Sequence, residues 1–252
     1  MHAFLFVSDL DGTLVGDAEA LETLNHRLAQ HRQTYGTQIA YATGRSLALY
    51  QSLAREQPLL PPDALIAAVG TEIYFDLAAG VADAGWSQRL AQHWSREQVL
   101  AIAARYADLT FQPTSEQGAF KVSCDLEASA SERVLPQLEA ELARQGLAVQ
   151  LIYSSGQHLD IVPQQADKGA AVRYLQQVWG WEDDRTVVCG DSGNDIALLA
   201  LENARGIAVG NAQPELRQWC AQRPSRDRYL AQAPCAAGIL EGLRHWGWLD
   251  SP

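Results

Sequence analysis

The stretch AFLFVSDLDGTLVG, residues 3–16, sets the frame for the whole chain. Residues 3–8 are a nearly unbroken apolar run, as in a strand of a parallel sheet covered on both faces. Two aspartates follow, Asp9 and Asp11, with one leucine between them. Gly12 then lets the backbone turn away at once. Carboxylates this close repel each other. Their place at the tip of a buried strand asks for a compensating cation or a chemical use.

Working outward, residues 18–33 carry Leu21, Leu24 and Leu28 at helical spacing. QIAYAT (38–43) reads as a second strand, Ser46 as the cap of a helix over 47–56, and LIAAVG (65–70) as a third strand. Strand alternating with helix marks a doubly wound, mostly parallel sheet. The pattern changes between about residues 80 and 160. A helix, KVSCDL (121–126), a helix near 131–145, LAVQLIYSS (147–155) and HLDIV (158–162) suggest an α+β insert with alternating polarity. After Lys168 the first pattern resumes, with a helix to about 179, TVVCG (186–190), a helix from Asn194, GIAVG (206–210) and a last helix near 235–246. The expectation is an α/β core, residues 1–79 and 161–252, split by an α+β cap domain, residues 80–160.

The chain has 252 residues, 47% of them hydrophobic, enough for a sizeable core. A net charge of -11 argues against a nucleic-acid partner or an anionic membrane surface. Local cations must therefore draw in any phosphorylated substrate. The four cysteines are dispersed and form no CxxC pair, which disfavours structural zinc and a disulfide framework. No signal peptide or membrane span is legible, so a soluble protein of the reducing cytoplasm is expected.

Ligands of open parallel sheets sit beyond the carboxyl ends of the strands. The first strand brings Asp9 and Asp11 there, the second Thr43 with Arg45 behind it, and GDSGND (190–195) brings Asp191, Asn194 and Asp195. Lys168 opens the helix that returns from the insert. Clustered carboxylates are tolerable around a hard cation, and Mg²⁺ takes oxygen ligands. Mg²⁺, Lys168 and backbone N–H groups would also remove the charge barrier to a carboxylate attacking a phosphate. Asp9 would then act as nucleophile, and Asp11 as general acid and base.

DLDGT (9–13), Thr43 in ATGR, Lys168 in DKG and GDSGND resemble, in order, the four motifs of the haloacid dehalogenase (HAD) superfamily of phosphohydrolases. The inserted cap resembles that of its sugar-phosphatase branch. More narrowly, YATGRS, AVGTEIY, VCGDSGND and GNAQPEL resemble the sucrose-phosphate phosphatases of the cyanobacterial type, over nearly the whole chain. The resemblance implies Mg²⁺-dependent hydrolysis of sucrose 6-phosphate. It implies metal ligation by Asp9, Asp191 and Asp195, with Asp11 lending its backbone carbonyl. It gives Thr43 and Lys168 to phosphate and Asn194 to support of the site. It also implies a sugar phosphate as partner and admits docking to a sucrose-phosphate synthase; a monomer is expected. Plant-type members carry a further C-terminal domain, whereas this chain stops soon after the core.

Other readings stand beside these. GDSGND suits a tight turn, but lacks the remaining ligands of a calcium loop. Thr43 suits a simple cap, and Lys168 a solvated lysine. Arg45 suits phosphate or a core carboxylate. Gly70 and Glu72, in GTEIY, are candidate sugar contacts, and Glu72 equally suits bracing the hinge. Lys121 suits the sugar or an exposed strand position. His158 reads as structural and Asp160 as undecided. Trp219, Trp246, Trp248 and Cys189 read as packing residues. The rivals are another sugar-phosphate or glycosyl-phosphoglycerate phosphatase, a phosphomutase, and a non-catalytic phosphate-sensing or docking module. A phosphomutase would need a second basic cluster in the cap, where only six dispersed cations occur. A binding module has no use for Asp11.

Overall fold

Burial on both sheet faces explains the apolar run at the N-terminus. In the computed structural model, which describes residues 2–250, strand β1 (Leu5–Ser8) is wholly buried. The chain continues through α1 (Ala18–Tyr35), β2 (Gln38–Ala42), α2 (Leu47–Glu56), β3 (Ala64–Ala67), β4 (Glu72–Tyr74), α3 (Ala84–Leu90) and α4 (Arg96–Ala103). Then come β5 (Thr110–Phe111), β6 (Val122–Asp125), α5 (Ala128–Arg144), β7 (Val149–Ser154), β8 (His158–Pro163) and α6 (Lys168–Trp179). The last elements are β9 (Thr186–Gly190), α7 (Ile196–Leu199), β10 (Arg205–Ala208), α8 (Pro214–Gln222), β11 (Arg228–Leu230) and α9 (Cys235–His245).

The large sheet has seven strands in the order β11-β10-β9-β1-β2-β3-β4. All its pairings are parallel except β3 with β4. Leu21, Leu24 and Leu28 of α1 and Ile239 and Leu243 of α9 cover one face. Val172 and Leu175 of α6, Leu198 of α7 and Leu216 of α8 cover the other. The doubly wound α/β reading therefore holds. The third strand ends at Ala67, three residues earlier than the apolar run. Ala68, Val69 and Gly70 take φ of 50°, 55° and 97°, and that left-handed turn sends the chain back as antiparallel β4. The helix expected from Asn194 is a short 3₁₀ turn, Gly193–Asp195, followed by α7.

The small sheet is antiparallel, in the order β5-β6-β8-β7. Its strands alternate. Val122, Cys124, Leu159 and Ile161 pack against α4 and α5 through Val99, Ile102, Val134, Leu138 and Leu142. Successive strand residues point to opposite faces, so Ser123, Asp125, His158 and Asp160 take the other side. Helix α3 follows residue 80 in sequence, yet its Trp86 and Leu90 are buried in the core of the large sheet. No helix among the described residues is long and apolar enough to cross a membrane.

Candidate active site

Asp9 and Asp191 are delivered by the ends of adjacent strands, and Asp195 by the 3₁₀ turn after the second of them. Asp9 follows β1, and its N–H still donates to Cys189 O at 3.0 Å, so it is held as firmly as the strand itself. Asp191 follows the adjacent β9, and Thr43 follows β2. Lys168 is placed by its helix. The Asp167 carboxylate accepts from Ala170 N at 2.6 Å and caps α6, which leaves Lys168 as the first helical residue.

Lys168 is fully buried, and Nζ donates to Asp9 Oδ1 and to Asp195 Oδ1, both at 2.7 Å. Asp195 Oδ2 accepts from Asp191 N and Ser192 N, each at 3.0 Å. Both oxygens of Asp195 are thus committed to the protein. It braces the loop after β9 from behind and does not line the cleft. Thr13 Oγ1 donates to Asp191 Oδ1 at 3.0 Å. Burial, with the Asp195 and Asp191 carboxylates beside it, holds Asp9 above the ordinary carboxylate range, and Lys168 pulls it back down. Burial also pushes Asp191 up to about 6, with Asp195 adding to it and Thr13 and Lys168 opposing.

Carboxylate oxygens of Asp9, Asp191 and Asp195 lie within 4.8 Å of one another, those of Asp195 already taken by Lys168 and two backbone N–H groups. Three buried carboxylates against one lysine leave an excess of negative charge. An all-oxygen donor set of that kind fits a hard divalent cation such as Mg²⁺, and not a thiolate- or imidazole-seeking metal. A pH dependence follows. The folded-state pKa of Asp191 is raised from 3.8. Ionising it in the folded state therefore costs stability, a cost absent below the unfolded pKa and complete above the folded one. A bound cation would remove that cost. Mg²⁺ is expected to raise Tm by about 4 °C near pH 8 and by far less near pH 5, read by thermal denaturation with Mg²⁺ and with chelator. Equal shifts at the two pH values would contradict this account.

Asp11 stands outside the cluster. Arg45 grips its carboxylate with two bonds, Nε to Oδ2 at 2.7 Å and Nη2 to Oδ1 at 2.8 Å. Of the two partners open to Arg45, the structure shows the carboxylate. Thr43 is fully buried, and its Oγ1 accepts from Arg45 N at 3.1 Å, so it shapes the turn that carries the arginine.

Asp9, Asp11, Arg45 and Asp191 line a cleft of about 580 Å³ between the carboxyl edge of the large sheet and the polar face of the small one, and the buried Thr43 and Lys168 lie behind its wall. Asp9, Asp11 and Asp191 lie on one wall, and Lys121, Glu116 and His158 on the other. Asn194 lines it too. Lys121 is buried, not exposed, with Nζ 3.5 Å from Asp160 Oδ1. Asp160 also accepts from Ser123 Oγ at 2.5 Å.

Two expected sugar contacts lie elsewhere. Gly70 is buried and absent from the cleft wall. A Cβ there would meet the Asp167 carbonyl carbon at 2.3 Å, so this glycine lets the turn after β3 press on the start of α6. Glu72 accepts from Tyr74 OH at 2.7 Å and sits beside Gly118, whose N–H donates to Lys121 O at 3.1 Å. Glu72 thus lies against the turn that carries Lys121 and outside the cleft lining. His158, read as structural, faces the cleft, with Nδ1 3.2 Å from Asp125 Oδ1. Its signal was present in the two-residue alternation of HLDIV. Thr13 lies within DLDGT but was given no role of its own, and Gln112, Glu116 and the 154–157 hairpin were missed, because no local pattern separates them from ordinary surface residues. The three tryptophans and Cys189 pack against the cores as expected.

Comparisons with known proteins agree with this geometry. The family described as sucrose-6F-phosphate phosphohydrolase matches residues 2–247. Probable sucrose-phosphatase 2 of Arabidopsis thaliana is 38% identical over 250 residues, covering 96% of this chain and 59% of that one. The chain thus spans about three-fifths of the length of the plant relatives. Mannosylfructose-phosphate phosphatase of Agrobacterium fabrum is 34% identical over 246 residues, 96% of each chain. The crystal structure of the sucrose-phosphatase from Synechocystis sp. PCC6803, in complex with sucrose and phosphate, is 42% identical with a TM-score of 0.91. It covers 98% of this chain and 99% of that one.

Proposed function

The chain belongs to the sucrose-6F-phosphate phosphohydrolase family of the HAD superfamily, and we propose that it hydrolyses sucrose 6-phosphate to sucrose and phosphate. One observation carries the reading. A single cleft has the Asp9, Asp11 and Asp191 carboxylates on one wall, with Lys168 buried behind Asp9, and a buried lysine among polar strand residues on the other. Its volume is in the range of small-molecule sites.

In this proposal an Asp9 carboxylate oxygen attacks phosphorus, the ester oxygen leaves, and an aspartyl-phosphate forms. Asp11 gives its proton to the departing alkoxide and later takes one from the water that releases phosphate. Arg45 grips Asp11, and an incoming phosphate competes for the same guanidinium, which frees the carboxyl to turn toward the leaving group. Lys168 holds Asp9 in place and offsets part of its charge. Asp9 and Asp191 would hold Mg²⁺, which when bound supplies positive charge to the phosphoryl oxygens. Residues from about 80 to 160 would act as a cap that excludes water and selects the sugar, with α3 remaining on the core. The four free cysteines are in keeping with a cytoplasmic setting.

Substitution of Lys121 tests the sugar wall. Lys121→Ala is expected to raise KM for sucrose 6-phosphate about 10- to 100-fold, the effect of losing one charged hydrogen bond. Hydrolysis of a small aryl phosphate should change less than about 2-fold, because that substrate does not reach the second wall. Equal losses on both would remove Lys121 from the sugar site.

A second reading has support from the equal-length Agrobacterium relative, whose name specifies a mannosylfructose phosphate. Both names specify the phosphate of a fructose-containing disaccharide, and the two differ in the attached hexose. Phosphate release from sucrose 6-phosphate, mannosylfructose phosphate, fructose 6-phosphate and glucosyl-3-phosphoglycerate, with Mg²⁺ and with chelator, tests the assignment. A preference for sucrose 6-phosphate supports it. A preference for the mannosyl compound replaces it, and inactivity on every ester returns the chain to a binding module.

A further inference from the structure

The GNAQPEL segment, residues 210–216, takes no part in the chemistry described above, yet it touches both walls of the cleft. Glu215, near the start of α8, turns its carboxylate toward two backbone N–H groups. Oε1 accepts from Ser155 N at 2.9 Å and from Gly193 N at 3.4 Å. Ser155 is the tip of the β7–β8 hairpin, and Gly193 lies in the GDSGND loop that also carries Asp191 and Asn194. Among the described residues, Glu215 is the side chain hydrogen-bonded to both the hairpin and that loop.

The contact is built on both sides. A Cβ on Gly193 would meet Tyr153 O at 2.7 Å, so glycine is what lets the end of β7 come down on the loop. Ser155 has a φ of 55° and Gly156 of 65°, a left-handed tip that leaves the Ser155 N–H outside the strand ladder and free to point at Glu215. The residues this closure brings to the cleft come from both parts: Ser154, Ser155 and Gln157 from the hairpin, Ser192 and Asn194 from the loop.

We infer that Glu215 is a positioning residue that latches the β7–β8 hairpin to the GDSGND loop, and so fixes the sugar wall against the phosphoryl-transfer edge. This rests on the proposed function in one respect, that the occupant spans both walls. One shared acceptor oxygen is a contact easily broken and remade. A small ester needs only the lower wall and should be indifferent to it. The group acts as an acceptor, so its charge is dispensable.

The test uses Glu215→Ala and Glu215→Gln in the whole chain. Glutamine keeps a carbonyl oxygen in the same place and, like alanine, removes the charge near Asp191. A difference between the two variants therefore isolates the two bonds. Glu215→Ala is expected to raise KM for sucrose 6-phosphate about 10-fold, to leave kcat and aryl phosphate hydrolysis within about 2-fold, and to speed amide exchange at residues 153–157 about 10-fold. Glu215→Gln should stay near wild type in all three. Unchanged exchange in the alanine variant, or a glutamine variant that behaves like alanine, overturns the latch. If the wild type fails to hydrolyse sucrose 6-phosphate, the proposed function falls, and the exchange data still decide the latch in either direction.

Discussion

Asp9→Asn is expected to reduce phosphate release by about 10⁴-fold or more, while the folded protein stays as stable as wild type or becomes more so. The loss follows from chemistry. A carboxamide has the size of the carboxylate but cannot form the acyl phosphate, and no other carboxylate on the cleft wall has the position of Asp9. The stability follows from electrostatics. Asp9 is a buried carboxylate whose charge is disfavoured by burial first and then by Asp195 and Asp191. Asparagine removes that charge. Lys168 keeps Asp195 as partner at 2.7 Å and retains a carboxamide oxygen beside it in place of the second. Steady-state phosphate release and a urea midpoint on the same preparation test both parts. The Mg²⁺-induced rise in Tm should shrink in the variant, since one donor is lost. Retention of more than a few per cent of wild-type turnover would take the nucleophile role from Asp9.

What the sequence made legible was the edge of the large sheet. Strands buried on both faces are continuous apolar runs, and the polar residues that end them must lie at the sheet's rim. Asp9, Asp11, Thr43 and Asp191 could therefore be placed together from pattern alone. Lys168 followed from its position at the re-entry into the core. The opposite wall was harder. Lys121 sits beside β6 and is buried only because the small sheet lies over the cleft, a tertiary fact with no local signature. The alternation in VSCD and HLDIV separates apolar from polar faces, yet it does not say that the polar face meets a cleft instead of solvent. The reading of His158 as structural did not foresee that it faces the cleft, though Asp125 and Gln112 do hold its ring. Gly70 was misread for the opposite reason. A glycine at a strand end beside catalytic motifs suits ligand approach, but here the close approach is by the Asp167 backbone. Arg45 was left between phosphate and carboxylate, and its bidentate bond to Asp11 depends on a fork geometry that spacing does not encode. Glu215 escaped because its partners lie on Ser155 and Gly193, far apart in the chain and both backbone groups.

Lys168→Met should lose activity by about 10²- to 10³-fold and also destabilise the fold by about 3–5 kcal/mol near pH 8, the cost of leaving buried charge unpaired. Methionine approximates the lysine's volume, so the effect is electrostatic and not a cavity. Burial alone would lower the ammonium pKa, but the Asp195 and Asp9 carboxylates outweigh it and raise it. A raised lysine pKa contributes stability fully present below the unfolded value of 10.5, so the pairing operates throughout the working pH range. The carboxylates set the pH dependence of the variant. Asp9 is already raised with the lysine beside it, and without that ammonium it rises further. A carboxyl with a raised folded-state pKa carries no penalty below its unfolded value and the full penalty above the folded one. The gap between wild type and Lys168→Met should therefore stay level below the folded-state value of Asp9, about 8, and widen as pH rises from about 8 to about 10, where Asp9 ionises in the wild type and stays protonated longer in the variant. Asp195 keeps its two backbone N–H donors and holds the GDSGND loop in place, so the variant should still fold. Urea unfolding followed by fluorescence of the seven tryptophans reads the gap at each pH. A constant gap would mean that Lys168 stabilises by packing alone, and the charge balance assigned to Asp9, Lys168 and Asp195 would have to be abandoned.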